Sequence, residues 1–156
     1  MLVVTVAGAV AGAFATALAT GTVEEILADD PPPSCPGDDC DGRNPEVQGC
    51  GDHAATFTPR TRNPAALEVR YSKRCKSVWG RITNGEPGAQ VTVSVTGGSR
   101  DVAEIAYGKD KFTRMASVSD PASFEVEVCA VPAPREQRKA AWDEYCIHAT
   151  EDSAWL

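Results

Sequence analysis

Histidine is scarce in this chain. There are only two, His53 and His148, in 156 residues. They lie far apart in sequence, and no serine or cysteine sits in a recognisable nucleophile context. No pair of carboxylates stands out for acid–base work either. The sequence therefore predicts a non-enzyme, with no cofactor.

Basic side chains are missing from the whole N-terminal quarter, and the first Lys or Arg is Arg43. A secretory signal normally opens on a basic n-region, and this one would lack it. Net charge is −7, which excludes a whole-molecule nucleic-acid binder because such a protein carries a basic footprint. Large apolar side chains are nearly absent from residues 35–53, where only Val47 and the cysteines could join a core. Such a segment cannot order itself by burial, so it needs covalent or metal pins.

Residues 1–23 carry no charge and include Ala17-Leu18-Ala19, a pattern a signal peptidase could cut. The run is also long enough for a membrane span, which needs about 20 residues. It reads as a signal peptide or a membrane anchor, and either places the rest of the chain outside the cytoplasm. Contact with a membrane is expected only through this segment, if it is retained. Residues 24–34 read as an acidic, Pro-rich linker, residues 35–150 as the folded domain, and residues 151–156 as a frayed tail.

The cysteines fit export. Cys35, Cys40, Cys50, Cys75, Cys129 and Cys146 are an even set, read as three disulfides in an oxidising compartment. Fifteen pairings are open. Cys129–Cys146 is the one pair with an argument, because it would tie a terminal helix to the last strand.

Strand signals fill the middle of the chain. Leu67, Val69 and Tyr71 alternate with Glu68, Arg70 and Ser72, and Val91, Val93 and Val95 alternate with Thr92, Ser94 and Thr96. Further strands are expected around Val78–Ile82, Val102–Tyr107 and Phe124–Val128. Asn84-Gly85, Pro87-Gly88 and Gly97-Gly98 mark turns. Residues 134–148, PREQRKAAWDEYCIH, contain no glycine and no internal proline, and predict a short helix docked through Trp142 and Cys146. The expected fold is mainly β: a small disulfide-stapled antiparallel β-barrel or sandwich with a short C-terminal helix.

Three motifs bear on chemistry. Cys35, Cys40, Cys50 and His53 match a structural zinc set in number and type, but export would consume the thiolates, so disulfides are the expected state and no metal is predicted. Asp39, Asp41, Asn44 and Glu46 could form a non-standard calcium loop. An EF-hand fails at both ends, because Gly42 as the sixth position puts Gly37 first and Gln48 twelfth. The bland alternative is a solvated acidic turn. Third, residues 70–81 (RYSKRCKSVWGR) hold five basic residues and no acid. Arg70, Arg74, Trp79 and Arg81 are the candidate ligand-binding residues, suited to anionic envelope ligands. Solvated strand faces are the alternative.

The spaced residues also form a pattern. It runs Cys35-x-Gly37-x-x-Cys40-Asp41-Gly42-x-x-Pro45, then Cys50-x-x-x-Ala54-x-Thr56. Next come Glu68-Val69-Arg70-Tyr71-Ser72-x-x-Cys75-x-x-x-Trp79-x-Arg81-Ile82, Pro87-Gly88, Phe112-Thr113-x-Met115 and Cys129. This resembles the YjfA-like family, an actinobacterial domain of unknown function. The resemblance implies a secreted protein, or an extracytoplasmic domain tethered through a membrane helix, and it brings no catalytic residues. The expected function is a non-catalytic extracytoplasmic binding or sensing module for an envelope polymer. A structural protein of the envelope with a protein partner is the alternative, and an exported enzyme a more distant one.

Overall fold

The computed structural model describes residues 32–35 and 37–156. The expected signal or anchor, 1–23, and most of the linker lie outside the described residues. Among the described residues, no helix is long and apolar enough to cross a membrane.

Among the described residues, nine strands build two antiparallel sheets. In chain order they are β1 (Ala55–Phe57), β2 (Ala66–Ser72), β3 (Ser77–Thr83), β4 (Gln90–Val95), β5 (Arg100–Glu104), β6 (Lys111–Phe112), β7 (Ala116–Ser117), β8 (Glu125–Val131) and β9 (Tyr145–Thr150). Sheet 1 runs β1-β2-β3-β6, with β7 also on β3; sheet 2 runs β5-β4-β8-β9. The arrangement is a sandwich rather than a closed barrel.

Alternation in the sequence explains which faces meet. Leu67, Val69 and Tyr71 of β2 and Val78 and Ile82 of β3 are buried on the inner face of sheet 1. Across sheet 2, Val91, Ala130 and Tyr145 fall in one row, Val93, Val128 and Ile147 in the next, and Val95, Val126 and Ala149 in the third. These rows and the inner face of sheet 1 form one hydrophobic core. Gly80, on the inner face of β3, faces the side chains of sheet 2 directly. A Cβ there would lie 2.7 Å from Val128 Cγ1 and 3.3 Å from Val91 Cγ2.

The predicted turns are present in altered detail. Asn84 takes the left-handed region with φ +55°, and Gly88 and Gly97 do so at +88° and +71°. The expected strand at Val102–Tyr107 is shifted to Arg100–Glu104, and the one at Phe124–Val128 runs on to Val131.

The predicted C-terminal helix is not there. Residues 135–137 make a single 3-10 turn, and Arg138 is already extended at φ −70°, ψ 131°. A tertiary acceptor takes one backbone donor a helix would need, and a local side-chain bond holds the extended turn. The Lys139 amide donates to Glu86 Oε2 at 2.8 Å, and Arg138 Nε donates to the Ala133 carbonyl at 2.7 Å. The following residues pair as β9 on β8, with Ile147 and Ala149 inward and Cys146, His148 and Thr150 outward. Cys129 and Cys146 are bonded, but from strand to strand at facing positions rather than from helix to strand.

Nor is the end frayed. Thr56 and Leu156 exchange two backbone hydrogen bonds of 2.9 Å. The Trp155 ring packs against Tyr71, Phe57 and Phe124 at centroid distances of 5.6, 6.0 and 6.3 Å. Burial raises the Tyr71 phenol above its ordinary pKa.

Gly80→Ala should lower unfolding stability by about 1–3 kcal/mol in denaturant titration, since the sheets must part to admit a methyl group. Trp155→Ala should cost about 2 kcal/mol by the same measurement, whereas a frayed tail would give less than about 0.5.

Candidate functional site

The outer face of sheet 1 carries the polar half of the alternation: Glu68 and Arg70 from β2, Trp79 and Arg81 from β3. Cross-strand register sets Arg70 opposite Trp79, and Glu68 opposite Arg81. A cap made of residues 37–53 covers part of this face. Beneath it lies a second small core of Cys35, Cys40, Cys50, Cys75, Trp79 and Met115, with Ala54 and Phe112 packed against it.

The cap is held by few but specific bonds. Cys35–Cys40 closes its first turn, and Cys50–Cys75 fastens it to the β2–β3 turn. The Gly37 amide donates to the Cys75 carbonyl at 3.0 Å. Gly42, at φ +69°, lets its amide reach the Met115 carbonyl at 2.8 Å, while the Met115 amide donates to Arg43 at 2.9 Å. Asp41 Oδ1 accepts from the Ser117 amide at 3.0 Å and from the Ser99 hydroxyl. Asn44 Oδ1 accepts from the amides of Glu46 (2.9 Å) and Val47 (3.3 Å), an Asx turn.

These bonds bear on both metal readings. Asp41 and Asn44 are committed to backbone and hydroxyl donors. The oxygens of Asp39, Asp41 and Glu46 do not gather into a common cluster. His53 is exposed and stands outside the sulfur cluster, whose fourth member is Cys75.

Between cap and strands opens a pocket of about 440 Å³, lined by Pro45, Glu46, Gly51, Asp52, Arg70, Trp79, Arg81, Asp110 and Phe112. Arg70 lies over the Trp79 ring at 5.9 Å and donates from Nη2 to the Gly51 carbonyl at 3.3 Å. Its Nε is buried with no partner. Arg81 bridges two acids, donating from Nη2 to Asp110 Oδ2 at 3.1 Å and standing 3.6 Å from Glu68 Oε2 through Nη1.

The structure thus brings three of the four predicted ligand residues together and leaves Arg74 out. Arg74 lies on the β2–β3 turn and does not line the pocket. Sequence reasoning missed Asp52 and Asp110 and named Glu46 only as a calcium candidate. Two lining arginines face three lining carboxylates (Glu46, Asp52, Asp110), so the pocket has mixed charge and is no simple anion sink. Glu46 and Asp52 come from the cap and Asp110 from the β5–β6 loop, so no local run announces them.

The fold and site define a disulfide-stapled β-sandwich with a pinned cap over one outer face. The chain belongs to the family described as "Protein of unknown function (DUF2690)", whose model matches residues 38–129. That span covers most of the cap, both sides of the pocket and the strands through Cys129. No curated protein and no solved structure shows significant similarity. Three disulfides, with no free cysteine among the described residues, are the chemistry of an oxidising, extracytoplasmic setting.

Asp41→Ala should release the cap from β7. The expected loss is about 1 kcal/mol of stability and faster hydrogen exchange at the Ser117 amide, both unchanged by added calcium.

Proposed function

We propose that this chain is a non-catalytic extracytoplasmic binding module, secreted or tethered through residues 1–23, whose ligand enters the pocket between cap and sheet 1. The observation that carries this reading is the Arg70–Trp79 stack beside Arg81 in a cleft of ligand size. Arg70 and Arg81 offer planar donors for a phosphate or carboxylate. Glu46, Asp52 and Asp110 offer acceptors for an ammonium or hydroxyl group next to it. That combination suits a cell-envelope polymer unit bearing both an anionic group and an amino or hydroxyl group. The resemblance to the YjfA-like secreted domains supports the same setting.

The test is a titration of the full chain with purified wall polymer carrying phosphate and amino groups, at low and high salt. Arg81→Gln should weaken binding by about tenfold or more, and salt should weaken it further. Arg74→Gln, outside the pocket, should leave it unchanged. Equal affinity for Arg81→Gln and the parent chain would overturn the reading. Co-purification of one stoichiometric protein, with no polymer bound, would replace it with a structural role in the envelope.

A further inference from the structure

Two disulfides lie side by side under the cap. Cys35 Sγ and Cys50 Sγ, from different bridges, are 4.0 Å apart. All four sulfurs of Cys35, Cys40, Cys50 and Cys75 fall within 4.8 Å of one another. Each of these residues is at most 2% exposed. A zinc ion bound by four thiolates at about 2.3 Å places its sulfurs at the corners of a tetrahedron with edges of about 3.8 Å. The spacing between the bridges is already close to that edge. Opening each bridge and moving its sulfurs by about 1 Å completes the tetrahedron.

Charge points the same way. Four thiolates around Zn²⁺ leave a net charge of −2, in a buried site where bare charge is costly. Cys75 sits on the β2–β3 turn between Lys73, Arg74 and Lys76, none of which lines the ligand pocket. Cationic neighbours favour the thiolate. The basic run at 70–81 thereby divides into two parts, Arg70 and Arg81 at the pocket and Lys73, Arg74 and Lys76 flanking Cys75 in sequence.

We infer that Cys35, Cys40, Cys50 and Cys75 form a redox-linked zinc site, two disulfides in the oxidised chain and one zinc tetrathiolate in the reduced chain. Reduction takes four electrons and four protons from two molecules of a dithiol donor, which themselves become disulfides. Both protein bridges open to give four thiols. Zinc then displaces the four thiol protons to solvent. In either state the cap keeps its pins, which its composition requires. The third bridge does not qualify. Cys129 and Cys146 gather only Glu127 beside them, and Cys146 is exposed.

The test uses the full 156-residue chain in mild detergent, reduced with a phosphine and titrated with Zn²⁺ and with Co²⁺. One equivalent of zinc should bind, and cobalt should give the charge-transfer and visible bands of a tetrahedral tetrathiolate. Zinc should protect Cys35, Cys40, Cys50 and Cys75 from alkylation while Cys129 and Cys146 react, a readout that needs no variant. Cys75→Ser should weaken zinc binding by more than about 100-fold, and Cys129→Ser with Cys146→Ser should leave it intact. Failure of the reduced chain to bind stoichiometric zinc would overturn the inference. So would equal alkylation of all six cysteines, or protection centred on Cys129 and Cys146.

Discussion

The covalent fastening of the cap at Cys75 is the constraint on which the rest depends. Residues 37–53 bring almost no apolar area of their own, so burial cannot hold them. Cys50–Cys75 places the cap against the outer face of sheet 1, and Cys35–Cys40 tightens its first turn. The sulfurs, with Trp79 and Met115, then form a dry miniature core that the cap could not otherwise build. Backbone bonds from Gly37, Gly42 and Arg43 add register to a position that the bridges have already chosen.

That placement makes the pocket. A sandwich normally leaves its outer faces to solvent. Here one outer face is partly covered, so Trp79 is buried although Glu68 and Arg81 on the same face stay partly open. Arg70 is trapped between the ring and the Gly51 carbonyl. The cap also delivers Glu46 and Asp52 to the basic strand face, and the β5–β6 loop delivers Asp110. The cleft is a seam between two layers, and its mixed charge reflects its origin in three segments.

Period-2 patterns were legible wherever one face was apolar, as in β2 and β4. They were equally present in Tyr145-Cys146-Ile147-His148-Ala149-Thr150, yet the helix-like run before it masked them. What decided that segment was a free position beside β8 and the capture of the Lys139 amide by Glu86, both non-local. Trp155 made no sense in a tail, because its partners Phe57, Tyr71 and Phe124 are distant in sequence. The short strands β1, β6 and β7 carry too few residues to show a period, and exist because β2 and β3 offer them an edge.

By itself the sequence determined the β class, the need for covalent pins in the N-terminal segment, and the inward valines, because these follow from composition and from a period of two. It also marked Arg70, Arg74, Trp79 and Arg81 as unusual in an acidic chain. Only the tertiary structure decided how Cys35, Cys40, Cys50 and Cys75 pair, which acids face those arginines, and that Arg74 lies outside their pocket. Those outcomes depend on how the cap, the strand face and the β5–β6 loop fold against one another, and a local pattern carries no information about a partner in another segment.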